Sequence, residues 1–189
     1  SVPAAKNFEP LMTLYLTDNT PASEVELAAK AGIVGFKLYP AGATTNSDAG
    51  VTDIKKCSAA LAAMEKHGVP LLVHGEVTNA DIDLFDREAV FIDKVLNPLR
   101  IDYPGLKVVF EHITTKQAAQ YVRDADTTRQ GKIGASITAH HLLFNRNAIF
   151  QGGIRPHYYC LPVLKREEHR EALVGVATSD SNRFFLGTD

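Results

Sequence analysis

The stretch Val34-Gly-Phe-Lys-Leu-Tyr-Pro40 is an apolar run of strand length that carries a lysine near its end. Three other runs also end in a polar residue: Leu71-Leu-Val-His74, Val108-Val-Phe-Glu-His112 and Phe184-Phe-Leu-Gly-Thr-Asp189. The spacings are 74 − 37 = 37 and 112 − 74 = 38, each one strand plus one helix, whereas 189 − 112 = 77 leaves room for two such units. We therefore expect these four polar residues at corresponding ends of parallel strands.

Apolar, β-rich runs alternate along the chain with stretches of helical spacing, a pattern typical of βαβ units and a mainly parallel sheet. Several runs are apolar throughout, as expected of strands that helices cover. The predicted strands are Leu11–Leu16, Val34–Tyr39, Leu71–His74, Val108–His112, Ile133–Thr138 and Phe184–Gly187, and the predicted helices are Ala22–Ala31, Ile54–His67, Ile82–Leu96 and Lys116–Arg123. Residues 145–162 are predicted to form an irregular active-site loop, and no linker divides the chain, so we expect one domain.

Two α/β architectures are compatible with parallel strands, and they place the polar strand ends differently. In a (β/α)₈ barrel the ends of successive strands converge on one mouth. In a doubly wound sheet they spread along an edge, and only a switch point collects some of them. The regular spacing favours the TIM barrel, of which this chain has six of the eight strands.

The composition excludes several classes of protein. The chain has 189 residues, of which 45% are hydrophobic and 22% charged, with a formal charge of −2, so it has no basic surface for nucleic acid or anionic membrane. No segment approaches the roughly 20 apolar residues of a membrane helix. Cys57 and Cys160 lack CxxC partners, which argues against a disulfide framework or a cysteine zinc site. We expect a soluble protein of the cytoplasm.

The four strand-end residues have a shared chemical explanation, although each alone is more often structural. Imidazoles and a carboxylate suit Zn²⁺, which brings a bound water near neutral pKa. A lysine at a dry strand end is favoured in its neutral form and can react with CO₂ to give a carbamate, whose two oxygens can bridge two metals.

With these strand-end residues the chain resembles the dihydroorotases of the single-function bacterial, fungal and plant type, within the amidohydrolase superfamily. Their successive motifs are similar to Lys37-Leu-Tyr-Pro-Ala-Gly-Ala-Thr-Thr-Asn-Ser47, Val73-His-Gly-Glu76, Phe110-Glu-His-Ile-Thr-Thr115, Ile137-Thr-Ala-His-His-Leu142, Arg155-Pro-His-Tyr-Tyr-Cys-Leu-Pro162 and Phe185-Leu-Gly-Thr-Asp189. The resemblance covers essentially the whole chain, in the family's order.

The resemblance implies a reaction and its ligands: reversible cyclisation of N-carbamoyl-L-aspartate to L-dihydroorotate and water in pyrimidine biosynthesis. It implies two Zn²⁺ ions per subunit of a homodimer, bridged by an N6-carboxylated lysine. The implied metal ligands are Lys37, with His74 and His112 on one zinc and Asp189 on the other, where the aspartate also transfers the proton. The implied substrate contacts are Thr44 and Thr45 on a mobile loop and the backbone of Leu161, while His141 is expected to support the site without binding metal.

The chain departs from this family at both ends. It lacks the Asp-x-His-x-His-x-Arg strand that completes the second zinc shell, the strand with a substrate-binding asparagine, and the Ser-Ala-Pro-His that follows the aspartate. We therefore expect a central fragment of a longer enzyme, with a plastid location if the source is a plant. Two alternatives stay open: another cyclic amidohydrolase, acting on hydantoins or allantoin, and a catalytically silent scaffold domain, which the missing histidines would favour.

Overall fold

The structure is a computed structural model that describes residues 9–189. In this part of the chain six strands form one sheet in which every neighbouring pair is parallel. The strands are β1 (Thr13–Leu16), β2 (Gly35–Leu38), β3 (Leu71–His74), β4 (Val108–Glu111), β5 (Ile133–Thr138) and β6 (Phe184–Gly187). All six predicted strands are confirmed, although β1, β2 and β4 are shorter than predicted.

The order of the strands decides between the two architectures. Each strand pairs with the next one along the chain, in the order β1-β2-β3-β4-β5-β6, with no reversal. A doubly wound sheet reverses its strand order at the switch point, whereas a barrel adds strands in one direction. The sheet is therefore six strands of a (β/α) barrel, as predicted.

The register of the strands separates two faces of the sheet. Phe36, Leu71, Val108 and Ile133 are partners across four strands, and all four are buried beneath the helices. Because side chains alternate along a strand, the next position of each strand faces the barrel interior. The hydrophobic core therefore lies between the sheet and the helices, and the polar strand residues lie on the inner face.

Within residues 9–189, eight α-helices connect and cover the strands. They are α1 (Ala22–Lys30), α2 (Ser58–His67), α3 (Arg87–Phe91), α4 (Asn97–Asp102), α5 (Lys116–Arg123), α6 (Ala139–Leu143), α7 (Asn147–Phe150) and α8 (Glu167–Ala177). A 3₁₀ turn, Ile54–Cys57, precedes α2, and a π-helical segment, Ile92–Leu96, joins α3 to α4. None of the described helices has the length and apolar character needed to cross a membrane.

The helix boundaries show which of them the local sequence signals predict correctly. Asp53 accepts a hydrogen bond from the Lys55 backbone N–H and begins the 3₁₀ turn, and Gly68, with φ of 68°, ends α2 in the left-handed conformation. The helix predicted at Ile82–Leu96 instead begins at Arg87, because residues 79–86 form hydrogen-bonded turns. Residues 145–162 are less irregular than predicted, since they contain α7 and the 3₁₀ turn Pro156–Tyr158.

We predict that Leu61→Ala lowers the free energy of unfolding by about 2–5 kcal/mol, because Leu61 on α2 is 1% exposed and its truncation leaves a cavity in the core. Leu27→Ala on α1 is the matched control: Leu27 is 66% exposed, and its truncation should change stability by less than about 0.5 kcal/mol. Urea denaturation followed by circular dichroism measures both. Equal midpoints for the two variants would contradict the assigned core.

Candidate active site

A cavity of about 460 Å³ lies on the inner face of the sheet and is lined by residues of β1 to β4 and by the residues that follow β2 and β6. Lys37 of β2 lies on its wall together with Tyr15, Tyr39, Glu111 and Asp189. Lys37 is buried, as predicted, but its ammonium group forms an ion pair with Glu111 of β4. Glu111 was not predicted, although it occupies the inward position of β4 in register with His74 of β3.

His74 lies at the end of β3 and is almost fully buried. Its Nε2 is 2.9 Å from Oε2 of Glu76, a carboxylate that is itself buried. A carboxylate accepts, so Nε2 donates in this pair and Nδ1 is the nitrogen left for a metal. Gly75 permits this turn of the chain, because a Cβ there would collide with the ring of Phe110.

His112 follows β4 and adopts a left-handed backbone conformation, with φ of 41°. In a regular strand its side chain would face the helices, on the same side as Phe110. The left-handed turn instead brings the His112 ring to 4.8 Å from the His74 ring, centroid to centroid, in an edge-on arrangement. The His112 backbone N–H donates to Oγ of Ser136 on β5, at 2.8 Å, which holds the turn.

Burial lowers the pKa of His112 well below its ordinary value, and the positive charge of Lys37 lowers it further. The imidazole is therefore neutral at physiological pH. A neutral ring is the form that binds metal.

The structure therefore places two of the four predicted metal ligands, His74 and His112, side by side, and Lys37 on the strand next to that of His74, where its charge acts on His112. Within residues 9–189 no three His, Cys, Asp or Glu side chains converge on one point. The donor set nevertheless fits one zinc if Lys37 is carboxylated, since two imidazoles and one carbamate oxygen are ligands that Zn²⁺ accepts. The buried Oε1 of Glu76, which has no hydrogen-bond partner among the described residues, adds unsatisfied negative charge beside His74.

Asp189 lies on the wall of the same cavity, and its side chain is exposed. Desolvation raises the pKa of Tyr39, and the charges of Glu111 and Asp189 raise it further. Asp189 and a carboxylated Lys37 are the donors that this chain offers to a second metal. That shell is incomplete within the described residues.

Thr44 and Thr45 lie on the loop that follows β2, and Ser47 organises this loop. The Ser47 hydroxyl donates to the Thr44 carbonyl, at 2.6 Å, and accepts from the Thr44 backbone N–H, at 3.1 Å. Thr45 is exposed. The hydrogen bonds found for the two threonines in residues 9–189 do not reach Lys37, His74 or His112, so their substrate contacts stay a prediction.

His141 is buried on α6 and forms two hydrogen bonds, neither of them to a predicted ligand. Its Nε2 is 3.0 Å from the Pro162 carbonyl oxygen, and its Nδ1 pairs with the Thr138 hydroxyl. Because the carbonyl only accepts, Nε2 carries the proton. His141 thus connects α6 to the segment containing Leu161, a half-buried residue, while its support of the site stays a prediction.

Three neighbours of the site were not predicted, although each is one or two positions from a predicted ligand in the sequence. Tyr39 and Glu76 follow Lys37 and His74 by two positions, and Glu111 directly precedes His112. Side chains two apart in a strand share a face, which could have identified Tyr39 and Glu76. Ser136 comes from another strand, and only the sheet register shows its position.

Comparison with known proteins agrees with the resemblance seen in the sequence motifs. The sequence profile of the amidohydrolase family matches residues 1–189. A curated dihydroorotase of Cupriavidus pinatubonensis is 74% identical over the whole of this chain, which covers 54% of that protein. The chain thus spans about half the length of the curated relatives it matches.

Two solved structures are also similar. A dihydroorotase of Campylobacter jejuni superposes with a TM-score of 0.85 at 40% identity, over 97% of this chain and 52% of that one. A dihydroorotase of Saccharomyces cerevisiae in complex with 5-fluoroorotic acid superposes with a TM-score of 0.84 at 34% identity, over 95% of this chain and 52% of that one.

We predict that metal-free protein loses stability below pH 6.5 and that His141→Gln reduces this loss. Burial lowers the pKa of His141 from 6.5 to about 3. Between these values the unfolded chain binds a proton that the folded chain does not, so the folded state becomes less stable as pH falls. The loss is about 1.4 kcal/mol per pH unit for one such histidine.

Urea denaturation in chelator at pH 7, 6 and 5 measures this effect. His157→Gln is the control, because His157 is exposed and hydrated in both the folded and unfolded states. An equal pH dependence of stability in the wild type and His141→Gln would contradict the prediction.

Proposed function

The chain belongs to the amidohydrolase family, and from this premise we infer that it is the central part of a zinc-dependent dihydroorotase. The observation that carries the proposal is the buried pair of histidines, His74 and His112, whose rings lie 4.8 Å apart beside the strand that carries Lys37. The proposed reaction is the reversible cyclisation of N-carbamoyl-L-aspartate to L-dihydroorotate and water. The named relatives support this substrate over other cyclic amides.

Zinc, when bound, polarises the carbonyl under attack and lowers the pKa of a water to near neutrality. His74 and His112 would hold one ion, and the carbamate formed on Lys37 would be shared with the second. Carbamate formation needs the neutral lysine amine, so the ion pair between Lys37 and Glu111 must open first. Glu76 holds the His74 ring with Nδ1 free for the metal.

Asp189 is the proposed proton carrier. In ring opening it would accept the proton released as water attacks the ring carbonyl, and then return that proton to the departing ring nitrogen. Its side chain is exposed on the cavity wall, so it can reach a bound substrate. In ring closure the same aspartate would take the proton from the carbamoyl nitrogen.

Thr44, Thr45 and Leu161 are proposed to bind the substrate. The two hydroxyls would donate to its polar ring and exclude water when the loop closes, and the Leu161 backbone would contact the ring amide. His141 supports this placement, because its bond to the Pro162 carbonyl fixes the residue next to Leu161. We also propose a homodimer and a cytoplasmic location, both on the resemblance to dihydroorotases.

We predict that Lys37→Ala, in the protein purified at its natural length, removes the shared zinc ligand and lowers bound zinc from two ions per subunit. Turnover of dihydroorotate should fall by at least about 10³-fold, since the zinc-activated water is lost. Elemental analysis and a dihydroorotate assay measure the two effects. Lys66→Ala is the control, because Lys66 is exposed on α2.

Two results would contradict this proposal. The first is retention of both zinc ions and full activity in Lys37→Ala. The second is a wild-type protein that hydrolyses hydantoin faster than dihydroorotate, which would instead support a different cyclic amidohydrolase. Absence of both zinc and turnover in the wild type would support the silent scaffold.

We predict that Thr45→Val raises KM for dihydroorotate roughly 10-fold, the equivalent of one lost hydrogen bond of about 1.4 kcal/mol. Stability should not change, because the Thr45 side chain is exposed in the absence of substrate. Steady-state kinetics and thermal unfolding measure these quantities. Thr128→Val, at an exposed threonine between α5 and β5, is the control, and an equal KM for both variants would exclude a substrate role for Thr45.

A further inference from the structure

Glu88, on α3, is a buried carboxylate to which the proposed reaction gives no role. It is 1% exposed, and among the residues that the structure describes it accepts hydrogen bonds from two adjacent ones, Thr114 and Thr115. The Thr114 backbone N–H lies 3.0 and 2.9 Å from the two carboxylate oxygens, and the Thr115 backbone N–H lies 2.8 Å from Oε1. The hydroxyls of Thr114 and Thr115 donate at 2.9 and 2.6 Å. One side chain thus binds four donors.

These donors belong to the segment that directly follows His112. His112 needs a left-handed backbone to reach His74, a conformation that is strained for a residue other than glycine. Ser136 of β5 binds the His112 and Ile113 backbone N–H groups, at 2.8 and 3.0 Å. Glu88 binds those of Thr114 and Thr115. Four successive backbone N–H groups, beginning with that of the strained residue, are therefore held.

The same contacts fix the start of α5. The Thr115 hydroxyl donates to Glu88 and also accepts from the Ala118 backbone N–H, at 3.1 Å, as the N-cap of the helix. A displacement of Glu88 would therefore move the beginning of α5 together with the His112 turn. Helix α3 and the strand end of β4 are coupled through this single carboxylate.

The charge of Glu88 is compensated within the fold. Burial raises its pKa, whereas buried Lys165 and the hydrogen bonds from Thr114 and Thr115 oppose this rise. Lys165 is 3% exposed and donates to the Val163 carbonyl, at 2.9 Å. A buried carboxylate without such partners would be strongly destabilising. The fold thus accommodates a costly group whose hydrogen bonds all go to the two threonines after His112.

We propose that Glu88 is a positioning residue for His112, which it holds in the left-handed turn required for metal binding. The proposal rests on the proposed function, because it takes His112 as a zinc ligand. This role can be tested without an activity assay, because weakening the hydrogen bonds of Glu88 should weaken divalent metal binding at His74 and His112. Outer partners that orient a ligand typically contribute 10–100-fold to metal affinity.

The test is Glu88→Gln in the protein at its natural length, with Co²⁺ as the spectroscopic probe and Zn²⁺ measured by chelator competition. The glutamine amide presents a donor where the carboxylate oxygens only accept, so at least one threonine donor loses its partner. We expect roughly 10-fold weaker Zn²⁺ binding and an altered Co²⁺ absorption spectrum.

The matched control is Arg100→Gln. Arg100 is buried and donates to the Gly131 carbonyl, at 3.1 Å, next to the amino end of β5 and away from the histidines. This variant should lose stability without changing metal affinity or the Co²⁺ spectrum. Equal metal affinity in Glu88→Gln, Arg100→Gln and wild type would overturn the proposal.

A second pair of variants covers the case in which Glu88→Gln does not fold. Thr114→Val removes one hydroxyl donor to Glu88 with little change of shape, whereas Thr114→Ser retains it. We expect weaker metal binding for valine and near wild-type binding for serine, and equal binding by the two would overturn the proposal.

The outcomes also separate this proposal from the proposed function. Metal binding that depends on Glu88, without turnover of dihydroorotate, would overturn only the function. Turnover with metal binding indifferent to Glu88 would overturn only the positioning role. A wild-type protein that binds no divalent metal would overturn both.

Discussion

The in-register pairing of parallel strands in sequence order is the constraint on which the rest of the structure depends. Lys37, Leu72, Val109 and Gly134 form one row across four strands that faces the barrel interior, and the preceding row faces the helices. A shift of one residue in any strand would exchange its two faces. It would bury Lys37 or Glu111 among apolar helices and expose core residues, so the apolar core and the polar cavity are set by the same register.

His112 is the exception to this alternation of side chains. Alternation would direct its side chain toward the helices, and the left-handed turn reverses that direction. The backbone strain is tolerated because Ser136 and Glu88 satisfy the amide groups of His112 and of the three residues that follow it. Strained residues held by over-determined hydrogen bonding commonly occur at functional sites. Here the strain places a neutral imidazole beside His74.

The sequence predicts the parts of this protein that depend on local pattern. Continuous apolar runs predicted all six strands, and polar residues at their ends predicted that His74 and His112 lie close together, as they do. The partners of these residues could not be predicted in the same way, because they depend on which strands are neighbours. The pairing of Lys37 with Glu111 crosses β3, and Ser136 meets His112 only through the β4–β5 register. Glu88 is 26 residues from Thr114, and nothing local connects them.

Burial of the histidines has two opposite consequences. It makes the folded state less stable in acid, and it favours metal binding. Water is removed from His112 and His141, which keeps both rings neutral and makes the folded state sensitive to acid. The neutral form is also what allows His112 to bind a metal at physiological pH, with no proton to displace. A more exposed His112 would make the fold more tolerant of acid but would leave protons competing with the metal. The acid sensitivity and the capacity to bind metal therefore have a single physical cause, the desolvation of the strand ends by the loops and helices around them.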